Sequence, residues 1–249
     1  MVPKTVPKKI SAKTVQSSHA RHEKPAEASE AIEDYAKAIY ALSQRSGEPV
    51  GTSELAGRLG VAPATATAML KRLDRMGLVH HQPYRGVSLT PSGERMALEV
   101  IRHHRLLESY LSEFLDMPWD RVHEEAEVLE HYISEELEGL IAAKLGDPSH
   151  DPHGDPIPGP DLIFPVGEEG RPLDSLQEGE AAVFTRVSDS DPRMLRYLSE
   201  RGIRPGANLV IKERQPFGGP VHIEVEGTEY ALGGELVRRM LVSAAKEKK

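Results

Sequence analysis

Apolar residues recur at helical spacing through the first 150 or so positions of this chain and then give way to short alternating runs. From Ser29 to Arg45, Ile32, Tyr35, Ile39, Tyr40 and Leu42 mark one face of a helix with Ser29 as its N-cap, and Gly47 and Pro49 end it. Thr52 is placed to cap a short helix through Leu59. Gly60 makes a turn, and Pro63 sits in the first turn of a longer helix reaching about Met76. Leu55, Leu59, Val61, Leu70 and Leu73 supply a shared core, and Ala56 is small where the two helices approach. Leu78 to His81 and Val87 to Leu89 read as two short strands joined by Pro83-Tyr84-Arg85-Gly86. Helix, turn, helix and hairpin in this order predict a winged helix-turn-helix.

Thr90-Pro91 opens the next helix, which runs to about Leu115, and Pro118 and Asp120 restart the chain. Val122 to Leu145 reads as one helix stopped by Gly146. At roughly 100° per residue, Val122, Ala126, Leu129, Ile133, Leu137 and Leu140 fall on one stripe, which is expected to be core. His123, Glu127, Glu130 and His131 gather on a second stripe rotated by about 100°, flanking the first. A Glu-rich stripe alone is what a solvated helix face shows. Here the preceding helix also carries His104 and Glu108 four residues apart, and carboxylates with imidazoles on two helices suit a divalent cation. The apolar stripes of both helices can also pack a second copy, so a homodimer is expected.

His150 to Pro165 is dense in Pro, Gly and Asp and reads as linker. From about Leu173 to Val242, runs such as Leu209-Val210-Ile211 and Val221-His222-Ile223-Glu224-Val225 between Gly and Pro turns predict a small antiparallel barrel with one helix near Arg193 to Glu200. The expected fold is mainly α with small β. Its parts are a disordered basic tail over 1–28, a winged helix over 29–92, a helical metal-binding and dimerisation domain over 93–149, a linker over 150–171 and a small antiparallel barrel over 172–243.

The chain has 249 residues, enough for two or three small cores. No run of about 18 apolar residues occurs, and no apolar segment follows the N-terminal lysines. The expectation is therefore a cytoplasmic protein with no membrane contact. The tail holds almost no large apolar residue to order it, and its lysines can add phosphate contacts once a neighbouring domain is docked. With no cysteine, disulfides, thiolate metal sites and cysteine nucleophiles are excluded, and any metal sits among oxygen and nitrogen donors.

A net charge of −8 argues against coating nucleic acid by bulk positive charge, but the charges are sorted. Lys71, Arg72, Arg75 and Arg85 cluster around the winged helix, and acids crowd Glu108 to Glu138. The second helix of the motif begins with Ala62, Pro63, Ala64, Thr65, Ala66 and Thr67, a surface without long side chains that can lie deep in the major groove of double-stranded DNA. The four basic residues can then neutralise backbone phosphates, with sequence preference arising largely through DNA shape. Enzyme signatures are missing. Glu127 stands where a helical zinc-protease motif has its second His, Val128 stands three before His131 where a di-iron bundle has Glu, and there is no Gly-rich phosphate loop or nucleophile elbow.

Ile32-Glu33-Asp34-Tyr35, Thr90-Pro91-Ser92-Gly93, His103-His104-Arg105-Leu106, Val122-His123-Glu124-Glu125-Ala126-Glu127, Glu130-His131 and Gly154-Asp155-Pro156-Ile157-Pro158-Gly159 occur in this order. In them the chain resembles the metal-dependent transcriptional repressors typified by the diphtheria toxin repressor and the manganese transport regulators. The resemblance implies a homodimer that binds operator DNA when loaded with metal, and a C-terminal SH3-like domain related to iron-transport accessory proteins. It implies a primary metal site of Asp34, Glu127, Glu130 and His131 and an ancillary site of His104, Glu108 and His123. Asp189 and Asp191 are the nearest matches for further oxygen ligands from the last domain. Iron-responsive members have Met and Cys where this chain has Asp34 and Glu127, which makes Mn(II) the leading metal, with Fe(II) the alternative. Lys37 departs from the manganese branch, which usually has Glu there. Protonation of His131 is expected to compete with metal as the pH falls through about 6.5.

Overall fold

The computed structural model describes residues 26–82, 85–167, 170–188 and 191–245. Most of the predicted basic tail, the wing-tip residues Pro83 and Tyr84, and Asp189 lie outside them.

The first helix, α1 (Ala26–Ser46), starts before its expected N-cap, so Ser29 is an interior position and 26–28 belong to the helix. In α2 (Thr52–Leu59) the N-cap is Gly51, without a side-chain bond, and Thr52 is the first helical residue. Gly60 closes α2 at φ 66°, where its N–H reaches the carbonyls of Ala56 and Gly57, a left-handed cap that glycine adopts without Cβ strain. Then α3 (Pro63–Arg75) carries proline in its first turn, and β1 (Val79–Gln82) pairs antiparallel with β2 (Gly86–Leu89) as the wing. Ile32, Tyr35, Ile39 and Leu42 of α1 bury against Leu55, Leu70, Leu73 and Val87, so the first helix is part of the DNA-reading core.

Thr90 caps α4 (Pro91–Phe114), its hydroxyl accepting from Gly93 N at 3.2 Å. A Cβ on Gly93 would lie 2.0 Å from the Leu78 carbonyl, so this close approach of α4 to the wing requires glycine. The single helix expected over Val122 to Leu145 is two: α5 (Val122–Leu129) and α6 (Glu135–Leu145). Ser134 causes the break. Its hydroxyl accepts from Leu137 N at 3.2 Å, and Glu135, Glu136 and Glu138 fill the first turn, so an N-cap with dipole-favoured acids restarts the helix. The stripe loses its continuity there. Val122 and Ala126 are core, but Leu129, Leu137 and Leu140 are exposed in the single chain, beside exposed Val128 and Tyr132.

The C-terminal unit is a six-stranded antiparallel sheet in the order β3-β8-β4-β5-β6-β7. Its strands are β3 (Arg171–Pro172), β4 (Ala181–Val187), β5 (Asn208–Arg214), β6 (Val221–Val225), β7 (Thr228–Leu232) and β8 (Met240–Ala244). Register shifts in β4 and β5 bend it around Phe184, Leu195, Ile211 and Met240. Besides the expected helix α7 (Pro192–Ser199) there is a second short one, α8 (Gly234–Arg239). Trp119, from the connection between α4 and α5, is buried in this core and so ties the sheet to the helices.

The stretch read as linker is closely packed at its start: Asp151, His153, Asp155 and Ile157 are buried. Arg102 donates to the Pro158 carbonyl at 2.6 Å, Arg105 donates to the Pro156 carbonyl, and Val187 N donates to the His153 carbonyl at 3.0 Å. Gly154 (φ 88°) lies against β4, where a Cβ would sit 1.9 Å from the Thr185 carbonyl oxygen. Proline and glycine serve here to route a buried strand of chain, which their composition alone does not distinguish from a tether.

Candidate metal centre and nucleic-acid interface

The break after α5 positions the first site. Glu130 ends α5 with its carboxylate fully buried, and His131 follows in the turn, where both meet Asp34 of α1. Asp34, Glu130 and His131 can each offer one ligand atom, all within 4.8 Å of one another. His131 Nε2 lies 3.1 Å from Asp34 Oδ1, and its Nδ1 lies 2.8 Å from Glu33 Oε2. Glu33, which the sequence reading missed, is therefore the buried carboxylate that orients the imidazole from behind. Burial acts to lower the His131 pKa, but hydrogen bonds to Asp34 and Glu33 raise it to about 10, well above the 6.5 expected from sequence.

Glu127 groups with His104 and Glu130 instead of with Asp34 and His131. It pairs with Lys37 Nζ at 2.7 Å and lies 3.8 Å from His104 and 3.7 Å from His123. The second site forms as His104, Glu108 and His123, again with ligand atoms within 4.8 Å. His104 Nε2 is 3.0 Å from both Glu108 Oε1 and His123 Nδ1, and Glu108 Oε1 is 3.2 Å from His123 Nδ1. Burial acts to raise the Glu108 pKa, yet His104 and the other imidazoles hold it well below the usual carboxylate range.

The other oxygen of Glu108 points to a group that sequence reasoning also missed. Asp151 and His153, from the supposed linker, join Glu108 in a fully buried triplet. Glu108 Oε2 and His153 Nδ1 lie 3.4 Å apart, and neither makes a well-formed hydrogen bond. Burial and the Glu108 charge push the Asp151 carboxyl well up. Burial opposes charge on His153, but Glu108 overcomes it and raises the imidazole to about 9. A carboxylate oxygen and an imidazole nitrogen that face each other without a hydrogen bond, among further oxygen and nitrogen donors, fit a divalent cation. The spacing Asp-x-His was the available signal, obscured by the surrounding prolines.

Asp191 joins none of these groups. Its carboxylate caps α7 at Arg193 N and pairs with the Arg193 guanidinium at 2.8 Å, so both oxygens are committed to Arg193. Asp189 lies outside the described residues.

In the winged helix, Ala62, Pro63, Ala64 and Thr65 are exposed at the start of α3, as are Lys71, Arg75 and Arg85. Thr67 and Arg72 are half-buried. The Thr67 hydroxyl donates to the Pro63 carbonyl at 2.8 Å, so it is engaged within its own helix. A small-residue helix start flanked by cations on α3 and the wing is a surface that fits a groove with phosphates on both sides.

The chain matches the N-terminal DNA-binding domain of the iron dependent repressors over 27–87, their metal binding and dimerisation domain over 90–159, and the FeoA domain over 171–244. It is 31% identical over 222 residues to the diphtheria toxin repressor of Corynebacterium efficiens, covering 84% of this chain and 94% of that relative. With the iron-dependent repressor IdeR of Mycobacterium tuberculosis it shares 31% over 211 residues, 79% and 89% of the two chains. A manganese-dependent transcriptional repressor solved in complex with manganese is 40% identical with a TM-score of 0.78, over 86% of this chain and all of that one. Another solved structure, ScaR with bound Zn2+, is 28% identical with a TM-score of 0.70, over 86% of this chain and 99% of that one. Sequence, domain order and fold agree over most of the molecule: the chain belongs to the iron-dependent, diphtheria toxin repressor family.

Proposed function

We propose that this protein is a homodimeric, cytoplasmic repressor that grips operator DNA when loaded with Mn(II). The observation that carries the reading is the meeting of Asp34, from a helix built into the DNA-reading core, with Glu130 and His131 of the helical bundle. The carboxylates of Glu33, Asp34, Glu127 and Glu130 outnumber the His131 imidazolium and the Lys37 ammonium set among them, and the excess negative charge weakens the joint between α1 and α5. Asp34, Glu130 and His131 would hold a divalent cation, whose positive charge would offset that excess. Asp34 then tethers the winged helix, Glu130 and His131 fix the tether to the bundle, and Glu33 holds the imidazole in its ligating orientation. In a dimer built on the exposed Val128, Leu129, Tyr132, Leu137 and Leu140, that tether sets the distance between two copies of α3 and so selects operator half-site spacing. His104, Glu108 and His123 would hold a second cation, and Asp151 and His153 form a buried triplet with the same Glu108 from its other side.

Hard oxygen donors and imidazole without any sulfur favour Mn(II), and the 40% identity to a manganese-dependent repressor supports it. The 31% identity to IdeR supports Fe(II) as the second reading. Titrating operator binding with Mn(II), Fe(II) and Zn(II) separates the two. Asp34→Ala is expected to weaken metal-dependent operator binding while size-exclusion chromatography still reports a dimer. Unaltered metal dependence in Asp34→Ala refutes the tether.

A further inference from the structure

Between the two clusters lies a cation that belongs to the protein. Lys37, one turn after Asp34 on α1, reaches in from a largely buried position. Its ammonium lies 2.7 Å from Glu127 Oε1, 2.9 and 2.8 Å from the two oxygens of Glu130, and 3.2 Å from His104 Nδ1. These three partners are themselves a set that could hold a metal ion: His104, Glu127 and Glu130 offer ligand atoms within 4.8 Å of one another.

We propose that Lys37 is a built-in monovalent cation that closes the His104, Glu127, Glu130 triplet to divalent ions and keeps α1 on α5 before metal arrives. A lysine ammonium is a compact point charge with three donors and no acceptor, well matched to carboxylate oxygens on several sides. Because it is covalently attached, its effective concentration exceeds that of any free ion, so a divalent competitor must first expel it. Lys37 and His131 together are outnumbered by Glu33, Asp34, Glu127 and Glu130, so Glu130 retains pull on a cation shared with Asp34 and His131. The ammonium thus sets how many metal ions the joint between the domains accepts. It also softens the repulsion that metal removal would otherwise release in full.

This inference rests on the metal reading above, and the test separates the two. The probe is Mn(II) alone, its bound amount measured by equilibrium dialysis and metal analysis of the full-length protein. Lys37→Gln is expected to bind one more Mn(II) per chain than the unaltered protein, and Lys37→Arg, which keeps the charge, the same number as the unaltered protein. With chelator present, amide hydrogen exchange in α1 is expected to quicken in Lys37→Gln and not in Lys37→Arg. Lys37→Met is measured in parallel, so a folding defect peculiar to one neutral variant does not obscure the count. An unchanged count in a folded neutral variant overturns the inference. Failure of the unaltered protein to bind any Mn(II) overturns the metal reading itself.

Discussion

Glu108 serves three imidazoles with one carboxylate, and Glu108→Gln removes its charge at nearly constant volume. His153 is the partner whose response can be worked through. It is completely buried, and its pKa stands near 9 against an ordinary 6.5. A folded value above the unfolded one stabilises the folded protein fully below about pH 6.5, and the contribution disappears as the pH rises through about 9. At pH 7 that linkage amounts to about 2.5 kcal/mol. Burial acts against the charged ring, so without Glu108 the imidazole loses most of this contribution. Guanidinium denaturation in chelator, followed by the fluorescence of Trp119, the chain's single tryptophan, is the suitable assay. Its ring stacks on His153 with centroids 5.5 Å apart, so the signal reports on the site itself. Glu108→Gln is expected to lose about 2 to 3 kcal/mol at pH 7 and distinctly less at pH 10, where the His153 imidazole is largely neutral in either protein. An equal loss at both pH values refutes the electrostatic account and leaves only packing.

Three further outcomes follow from the same geometry. Arg75→Ala and Arg85→Ala are each expected to weaken operator binding and to reduce the slope of log K against log salt by about 1, and an unchanged slope places that residue off the phosphates. Gly154→Ala forces a Cβ from 1.9 Å to the 3.4 Å or more of ordinary contact with Thr185 O, at a positive φ. It should cost at least about 2 kcal/mol in denaturation and disturb Asp151 and His153, and near-neutral behaviour contradicts the close approach. Leu140→Glu puts a charge on the exposed apolar surface of α6 and is expected to yield monomers in sedimentation, with persistence of the dimer locating the interface elsewhere.

Local chemistry determined much of this molecule from sequence alone. Gly60 at a left-handed cap, Pro63 in a first turn and Thr90 over Gly93 are decisions made within a few residues, so the order of elements in the winged helix was legible. The same local logic was available at Ser134, but the longer apolar periodicity outweighed it and hid the break between α5 and α6. Imidazoles and carboxylates at helical spacing nominated His104, Glu108, His123, Glu130 and His131, since side chains one turn apart must share a face. What each of them faces is a property of packing between distant segments. Only the tertiary structure set Glu33 behind His131, paired Glu127 with Lys37, committed Asp191 to Arg193, and brought Asp151 and His153 against Glu108. Short-range periodicity fixes where a side chain projects from its own element. Which charges are buried together depends on how those elements dock, and no spacing within one segment encodes it.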